Sequence, residues 1–347
     1  MKKFFKSLML ISVCLGLSAT VNAKTFRYAT TGDILGLDPH ANNEGPTNTM
    51  KGNIYGRMLH RKADLSLEPD LATKWEKLDA NTWRFSLRRG VKFHNGNDFN
   101  ADDVLFSYKR QTQEASDMSF ALATIKQINK VDDYTVDLIT KGPDPILLLN
   151  MPMFYIVDKE WIEANNAFEV VRASGSTNFA NVNTNGTGPF KVVEWIQDTR
   201  IVLEPFEGFW GRNQIQHNLT KAVFTPISND ATRVAALLSG EIDLMYPVPL
   251  QDVKRLNNDP NTEALEGPEL RTIFLGYDQW RDESLDMPGS GKNPFKDKRV
   301  RQACHHAINI NAIKRVVMRN AATPTGLMIA PGTVSYTHLT LPTNREV

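Results

Sequence analysis

Residues Pro69 to Arg110 read PDLATKWEKLDANTWRFSLRRGVKFHNGNDFNADDVLFSYKR, and a strand, a turn and a capped helix can be read from them in order. From Thr82 to Arg88 the residues alternate, with Trp83, Phe85 and Leu87 on one side and Thr82, Arg84, Ser86 and Arg88 on the other. That is the period of a half-buried strand. Arg89-Gly90 supplies a turn residue able to take positive φ, after which Val91 and Phe93 resume the alternation until His94-Asn95-Gly96-Asn97 turns the chain again. The unit reads as a hairpin. Asn100 is placed to N-cap the next element, Asp102 and Asp103 sit where a helix dipole favours negative charge, and Val104, Leu105 and Tyr108 form an apolar stripe. A helix is expected there.

Outward from this stretch, Lys24 to Ala29 alternate as a short strand and a helix is expected over 48–59. Tyr134, Val136 and Leu138 alternate against Thr135 and Asp137 as another strand, and Ile146 to Tyr155 form an apolar segment. The Asn/Ser/Thr-rich run Ala173 to Asn185 reads as a loop, and Gly186-Thr187-Gly188-Pro189 as a turn into strands over 190–195 and 200–204. A helix begins near Ser228-Asn229-Asp230, packs Val234, Leu237 and Leu238, and stops at Gly240. Ile242, Leu244 and Tyr246 then read as a strand. This strand-helix-strand succession is an α/β pattern. Asp297 can cap a helix that buries a face carrying Val300, Ala303, Cys304, Ala307 and Ile308.

The 347 residues suggest about two domains, and 41% hydrophobic with 23% charged residues is ordinary for a globular protein. Lys2, Lys3 and Lys6, the apolar run from Ser7 to Val21 and the small residue Ala23 read as a secretory signal over 1–23, cleaved after Ala23. The run is short and rich in Ser, Thr and Gly for a membrane span. Cys14 has Val13 before it and Leu15 after it, which does not suit lipoprotein processing. Cleavage would lower the formal charge of +1 by three, and neither balance implies nucleic-acid binding. It would also leave Cys304 as the one cysteine, without a partner for an intramolecular disulfide.

No Gly-x-Ser-x-Gly elbow is present, and the helix-core spacing of Cys304 favours packing over nucleophilic chemistry. Acids are plentiful, so a secreted two-carboxylate glycosidase stays open as a reading of a different class, although nothing singles out a pair. His305 and His306 are adjacent and point about 100° apart on a helix, while His40, His60, His94 and His217 lack ligand spacing. No metal site and no cofactor are expected. Gly186-Thr187-Gly188 leads into Pro189 and a strand, where a phosphate loop needs a helix N-terminus. Trp75, Trp83 and Phe85 read as core, whereas Phe120 lies in a polar loop.

The stretch at 69–110 resembles the signature region of periplasmic solute-binding proteins of the dipeptide- and oligopeptide-binding family, which deliver peptides, and in some branches nickel or other solutes, to ABC importers. Further matches come in the family's order: Leu37-Asp38-Pro39-His40, Gly186-Thr187-Gly188-Pro189-Phe190, Leu238 to Asp243, Asn293 to Asp297 and Arg299 to Ala303. Together they cover roughly 25–332. The resemblance implies an α/β, bilobal periplasmic-binding-protein fold with an extra inserted subdomain and an incomplete second lobe. Lobe I would comprise 24–60 and 186–268, the insertion 61–185, and lobe II would begin over 269–333. Residues 334–347 match nothing the family has there and read as a non-native tail.

The same resemblance implies peptide capture by hinge closure, delivery to an inner-membrane ABC permease, a monomer in the periplasm, and no enzymatic activity. The loop Asn43-Glu44-Gly45 matches the lobe I loop that contacts ligand, with Glu44 as a partner for a cationic group and Gly45 permitting close backbone approach. Glu269 and Arg271 open a segment that crosses between lobes, and Phe274 and Tyr277 on it would line side-chain pockets together with Phe120. Ordinary strand core is an equal reading for Phe274, which lies between Ile273 and Leu275. The family's main anchors for the peptide termini lie in lobe II, beyond the last residue here, so weak or no peptide binding by this chain is expected. The alternative within the fold is nickel, haem or a sugar as ligand.

Overall fold

A computed structural model of the protein describes residues 24–172, 177–214, 217–267, 269 and 271–328. The expected signal sequence, the tail at 334–347 and part of the loop at 173–185 lie outside them. The chain divides into two compact units, with the division between Tyr246 and Pro247.

The first unit contains β1 (Lys24–Thr30), α1 (Gly45–Ile54), β2 (Leu59–Arg61), β3 (Leu67–Pro69), β4 (Ala72–Lys77), β5 (Thr82–Leu87) and α2 (Ala101–Gln111). It continues with β6 (Ile125–Asp132), β7 (Thr135–Thr140), β8 (Phe190–Ile196), β9 (Arg200–Pro205), β10 (Leu219–Pro226), α3 (Asp230–Leu238) and β11 (Leu244–Met245). One sheet has the order β11-β1-β10-β9-β8, with β1 parallel to both β10 and β11 and the other pairs antiparallel. The β10-α3-β11 crossover supplies the α/β character. A second sheet, β4-β5-β7-β6, is antiparallel throughout, and β2 pairs with β3 alone.

The stretch at 69–110 folds as expected at β5 and α2, and differently between them. Phe85 and Leu87 are buried, Trp75 and Trp83 pack against the same cluster, and Asn100 caps α2 in a box closed by Asp103. The hairpin partner of β5 is the preceding β4, through a turn in which the Asp79 carboxylate accepts from the amides of Asn81 and Thr82. Val91 and Phe93 do not pair with β5. They close a small loop of their own, Lys92 bridging to Asp98, and bury their side chains with Phe99. Each fully buried Phe there contributes about 2 kcal/mol of transfer free energy. Val104 of α2 joins this core, and Phe106 joins the other, built on Ile54, Tyr55, Ile201, Leu203 and Phe224 under the five-stranded sheet.

Four other expectations need correction. The first helix runs from Gly45, not Asn48, because Glu44 caps it and Pro46 fits its first turn; it stops at Ile54, where Tyr55 turns extended. β11 has only two residues, with Met245 inward and Leu244 and Tyr246 exposed, because its place at the sheet edge covers one side only. In the second unit, α4 (Lys298–Ala307) is capped by Asp297 as expected, but none of its residues is buried and Cys304 is half-exposed. Ile273, Phe274 and Leu275 are exposed and belong to no strand. No helix among the described residues is long and apolar enough to cross a membrane.

The Gly186–Pro189 turn is a packing joint. The amide of Gly188 donates to the Ile54 carbonyl at 2.8 Å, and His94 bonds to the backbone of both glycines, its Nε2 lying 3.1 Å from the Gly188 carbonyl. Burial pushes the His94 imidazole down to about 4. Between about pH 6.5 and 4 the unfolded chain therefore binds more protons here than the native one, and stability falls as pH falls. His94→Gln should be less stable at pH 7 by roughly 2 kcal/mol. That gap should close as the pH is lowered towards 4, as read by urea unfolding at several pH values. A gap independent of pH would show that folding does not lower the His94 pKa. Asp70 and Asp103, which burial raises to about 6 and about 7, act with opposite sign but equally in both proteins.

Candidate ligand-binding site

The loop Asn43-Glu44-Gly45 is the N-terminus of α1. Glu44 is extended and its carboxylate accepts from the Thr47 amide at 2.8 Å, so the residue expected to meet a cationic ligand group also caps the helix. It is half-buried, and burial raises its pKa. Asn43 is exposed, and its Oδ1 accepts from Asn48 Nδ2 at 2.8 Å. Gly45 has open space where a Cβ would stand.

Behind the loop lies a buried polar network that sequence reasoning does not identify. Arg110 of α2 makes a two-pronged ion pair with Asp38, at 2.8 and 2.5 Å, with both side chains fully buried. Arg110 Nε donates to the Ala167 carbonyl at 3.1 Å, and Nη1 donates to His40 Nδ1 at 3.0 Å. That bond requires a neutral imidazole, whose Nε2 proton points to the Tyr155 carbonyl 2.9 Å away. Burial, then the Arg110 charge, push His40 down to about 3. Burial works to raise Asp38, but Arg110 and the bonds from His40 outweigh it and hold the carboxyl below its ordinary value. Asp38 and His40 stand in the Leu37-Asp38-Pro39-His40 motif, which was the available signal. Its partner 72 residues away left none.

The network also anchors the segment bearing Phe120. Ser116 Oγ donates to the His40 carbonyl at 2.7 Å and the Asp117 amide to the Ala41 carbonyl at 3.1 Å. Phe120 itself, half-exposed in a short 3-10 turn, lines a shallow depression with Tyr108, Leu122, Ile125 and Lys141 rather than with Asn43, Glu44 or Gly45. In the second unit, Glu269 and Arg271 pair with each other at 2.6 Å and both are exposed. Phe274 is exposed, and the Tyr277 ring packs on Phe295 at 5.0 Å. The structure thus groups Asn43, Glu44 and Gly45, and separately pairs Glu269 with Arg271.

A larger cleft of about 660 Å³ at the β8-β9-β10 end of the mixed sheet, lined by Lys191, Phe206, Phe209, Arg212 and His217, contains none of the candidate residues. Asp103, Asp158 and Glu160 lie within metal-chelating distance of one another. Asp158 Oδ2 already accepts from the side-chain amides of Asn95, Asn97 and Asn185 at 2.7 to 2.9 Å, and Asp103 from the amides of Asn100 and Lys159. This group is a structural hub that ties the 91–99 loop to the return at Asn185.

The mixed sheet with a separate antiparallel sheet inserted after β1 and α1 places the chain among the periplasmic binding proteins. The structure of the ABC transporter-associated periplasmic binding protein DppA from Helicobacter pylori, in complex with peptide STSA, superposes with a TM-score of 0.75 at 29% identity. The match covers 89% of this chain and 61% of that one. The chain belongs to the bacterial extracellular solute-binding proteins, family 5, whose model matches residues 66–345. That match continues past Gly332, where the resemblance read from sequence stops. The dipeptide-binding protein of Escherichia coli K12 is 30% identical over 349 residues, with 93% of this chain and 61% of that protein covered. The heme-binding protein A of Haemophilus influenzae is 29% identical over 336 residues, covering 90% and 58%. The chain thus spans about three-fifths of the length of the curated relatives it matches.

Proposed function

We propose that this protein captures peptides, di- or oligopeptides, in the periplasm as a monomer and delivers them to an ABC permease of the inner membrane. The observation that carries this reading is the match along 93% of the chain to a dipeptide-binding protein, joined by the likeness to a peptide-bound structure. Residues 24–60 and 186–268 would form lobe I, 61–185 the inserted subdomain and 269–333 the start of lobe II. The chain would be exported by the segment 1–23, cleaved after Ala23. Peptide would meet the Asn43-Glu44-Gly45 loop through backbone hydrogen bonds and the Glu44 carboxylate, with Glu269, Arg271, Phe274 and Tyr277 closing on it as the lobes hinge. Extended peptide suits such a surface because main-chain bonds supply affinity independently of side chain.

Haem is the second reading, favoured by one relative at nearly equal identity. Isothermal titration of the protein with a dipeptide, a tetrapeptide and haem separates the two. Saturable though weak peptide binding, with no haem binding, is the expected outcome. Haem bound with 1:1 stoichiometry and peptide not bound would reverse the assignment.

A further inference from the structure

Lys51, on the inner side of α1, is 1% exposed. Its ammonium donates to the Asn42 carbonyl in a short hydrogen bond and to Asn48 Oδ1 at 3.2 Å, and lies 5.8 Å over the Tyr155 ring. A buried ammonium held by neutral oxygens is costly, and an apolar side chain would fill the same place at less cost. Stability alone gives no reason for it. Both oxygens belong to groups that shape one loop. Asn42 precedes Asn43 directly, while Asn48 uses its other end, Nδ2, to hold Asn43 Oδ1 at 2.8 Å. Glu44 is tied to the same helix through Thr47.

We propose that Lys51 is the positioning residue of the Asn43–Gly45 loop, drawing the Asn42 carbonyl and, through Asn48, the Asn43 side chain against α1 so that the loop is held in shape for its ligand. The inference rests on the proposed function, in which this loop meets ligand. Burial lowers the Lys51 ammonium to about 8, against the opposing charges of Asp38, Glu44 and Asp117. The neutral His40 and Tyr155 and, across the Tyr155 ring, Arg57 complete its surroundings. The hold should therefore weaken as pH rises from 7 to 9.

Two measurements on the whole chain test this. The first is NMR hydrogen-exchange protection of the Asn48 side-chain amide and the Thr47 and Asn48 backbone amides, corrected for intrinsic rates. In the wild type it should fall about fivefold to tenfold between pH 7 and 9, the equivalent of one hydrogen bond. Lys51→Met should show the reduced protection already at pH 7 and no further change with pH. The second is titration with a dipeptide, whose affinity should drop by a similar factor in Lys51→Met. Unchanged protection in the variant, or a flat profile in the wild type, overturns the proposal whether or not peptide binds. Faster exchange with unchanged peptide affinity upholds the positioning role and overturns the assignment of the loop to the ligand. Should Lys51→Met fail to fold, the wild-type pH profile decides.

Discussion

Arg110→Met is expected to remove roughly 3–5 kcal/mol of stability, because it leaves the Asp38 carboxylate buried without its countercharge. Asp38 and Arg110 are both 0% exposed by side chain, so water cannot replace the lost guanidinium. The substitution also strips donors from His40 Nδ1 and from the Ala167 carbonyl. The pair itself need not be stabilising relative to an apolar filling of the same space. The double variant Asp38→Leu with Arg110→Met should accordingly be more stable than the sum of the single changes predicts, with a coupling of roughly 2 kcal/mol. Urea denaturation of the four proteins at pH 7 reads both numbers. A loss below about 1 kcal/mol in Arg110→Met would mean that Asp38 takes up a proton or finds another donor at little cost.

Gly186→Ala is expected to cost roughly 3 kcal/mol. A Cβ at this position would stand 2.0 Å from the Ile54 carbonyl oxygen and 2.8 Å from its carbon. Both are backbone atoms at the end of α1, so no side chain can swing aside. Relief requires separating the turn from the helix, which breaks the 2.8 Å bond from the Gly188 amide to the same carbonyl and disturbs the bonds of His94 to both glycines. Gly142→Ala is the control: it has nothing within 4 Å of the added carbon and no positive φ, and should change stability by less than about 0.5 kcal/mol. Equal melting temperatures for the two variants would show that the turn does not pack against α1 as described.

The elements of the 69–110 stretch were legible where chain-local physics decides. β5 alternates because one of its faces meets a core, and α2 starts where Asn100 and Asp103 can satisfy the first amides of the helix. The same holds for β1, for the strands after Gly188, for the start of α3 at Asn229 and for its stop before Gly240, which takes φ of +73°. The family label was legible for a related reason, since turns and caps depend on particular residues at particular spacings.

Pairing was not. Whether β5 turns back on β4 or on Val91 and Phe93 depends on which turn closes, and both candidates alternate acceptably. Asp79 decides it by bonding two amides. Nothing local to the end of α2 marks Arg110 as buried, yet it is among the largest fully buried side chains because Asp38, between β1 and α1, faces it. Lys51 is the same case, since the Asn42 carbonyl that takes its ammonium belongs to the loop before α1, which only the fold brings against the helix. By itself the sequence determined the elements whose reason is periodic or capping, together with the family they identify. Only the tertiary structure decided which charges are buried and what holds the Asn43–Gly45 loop, because a charge can leave water only where distant residues converge to replace its hydration.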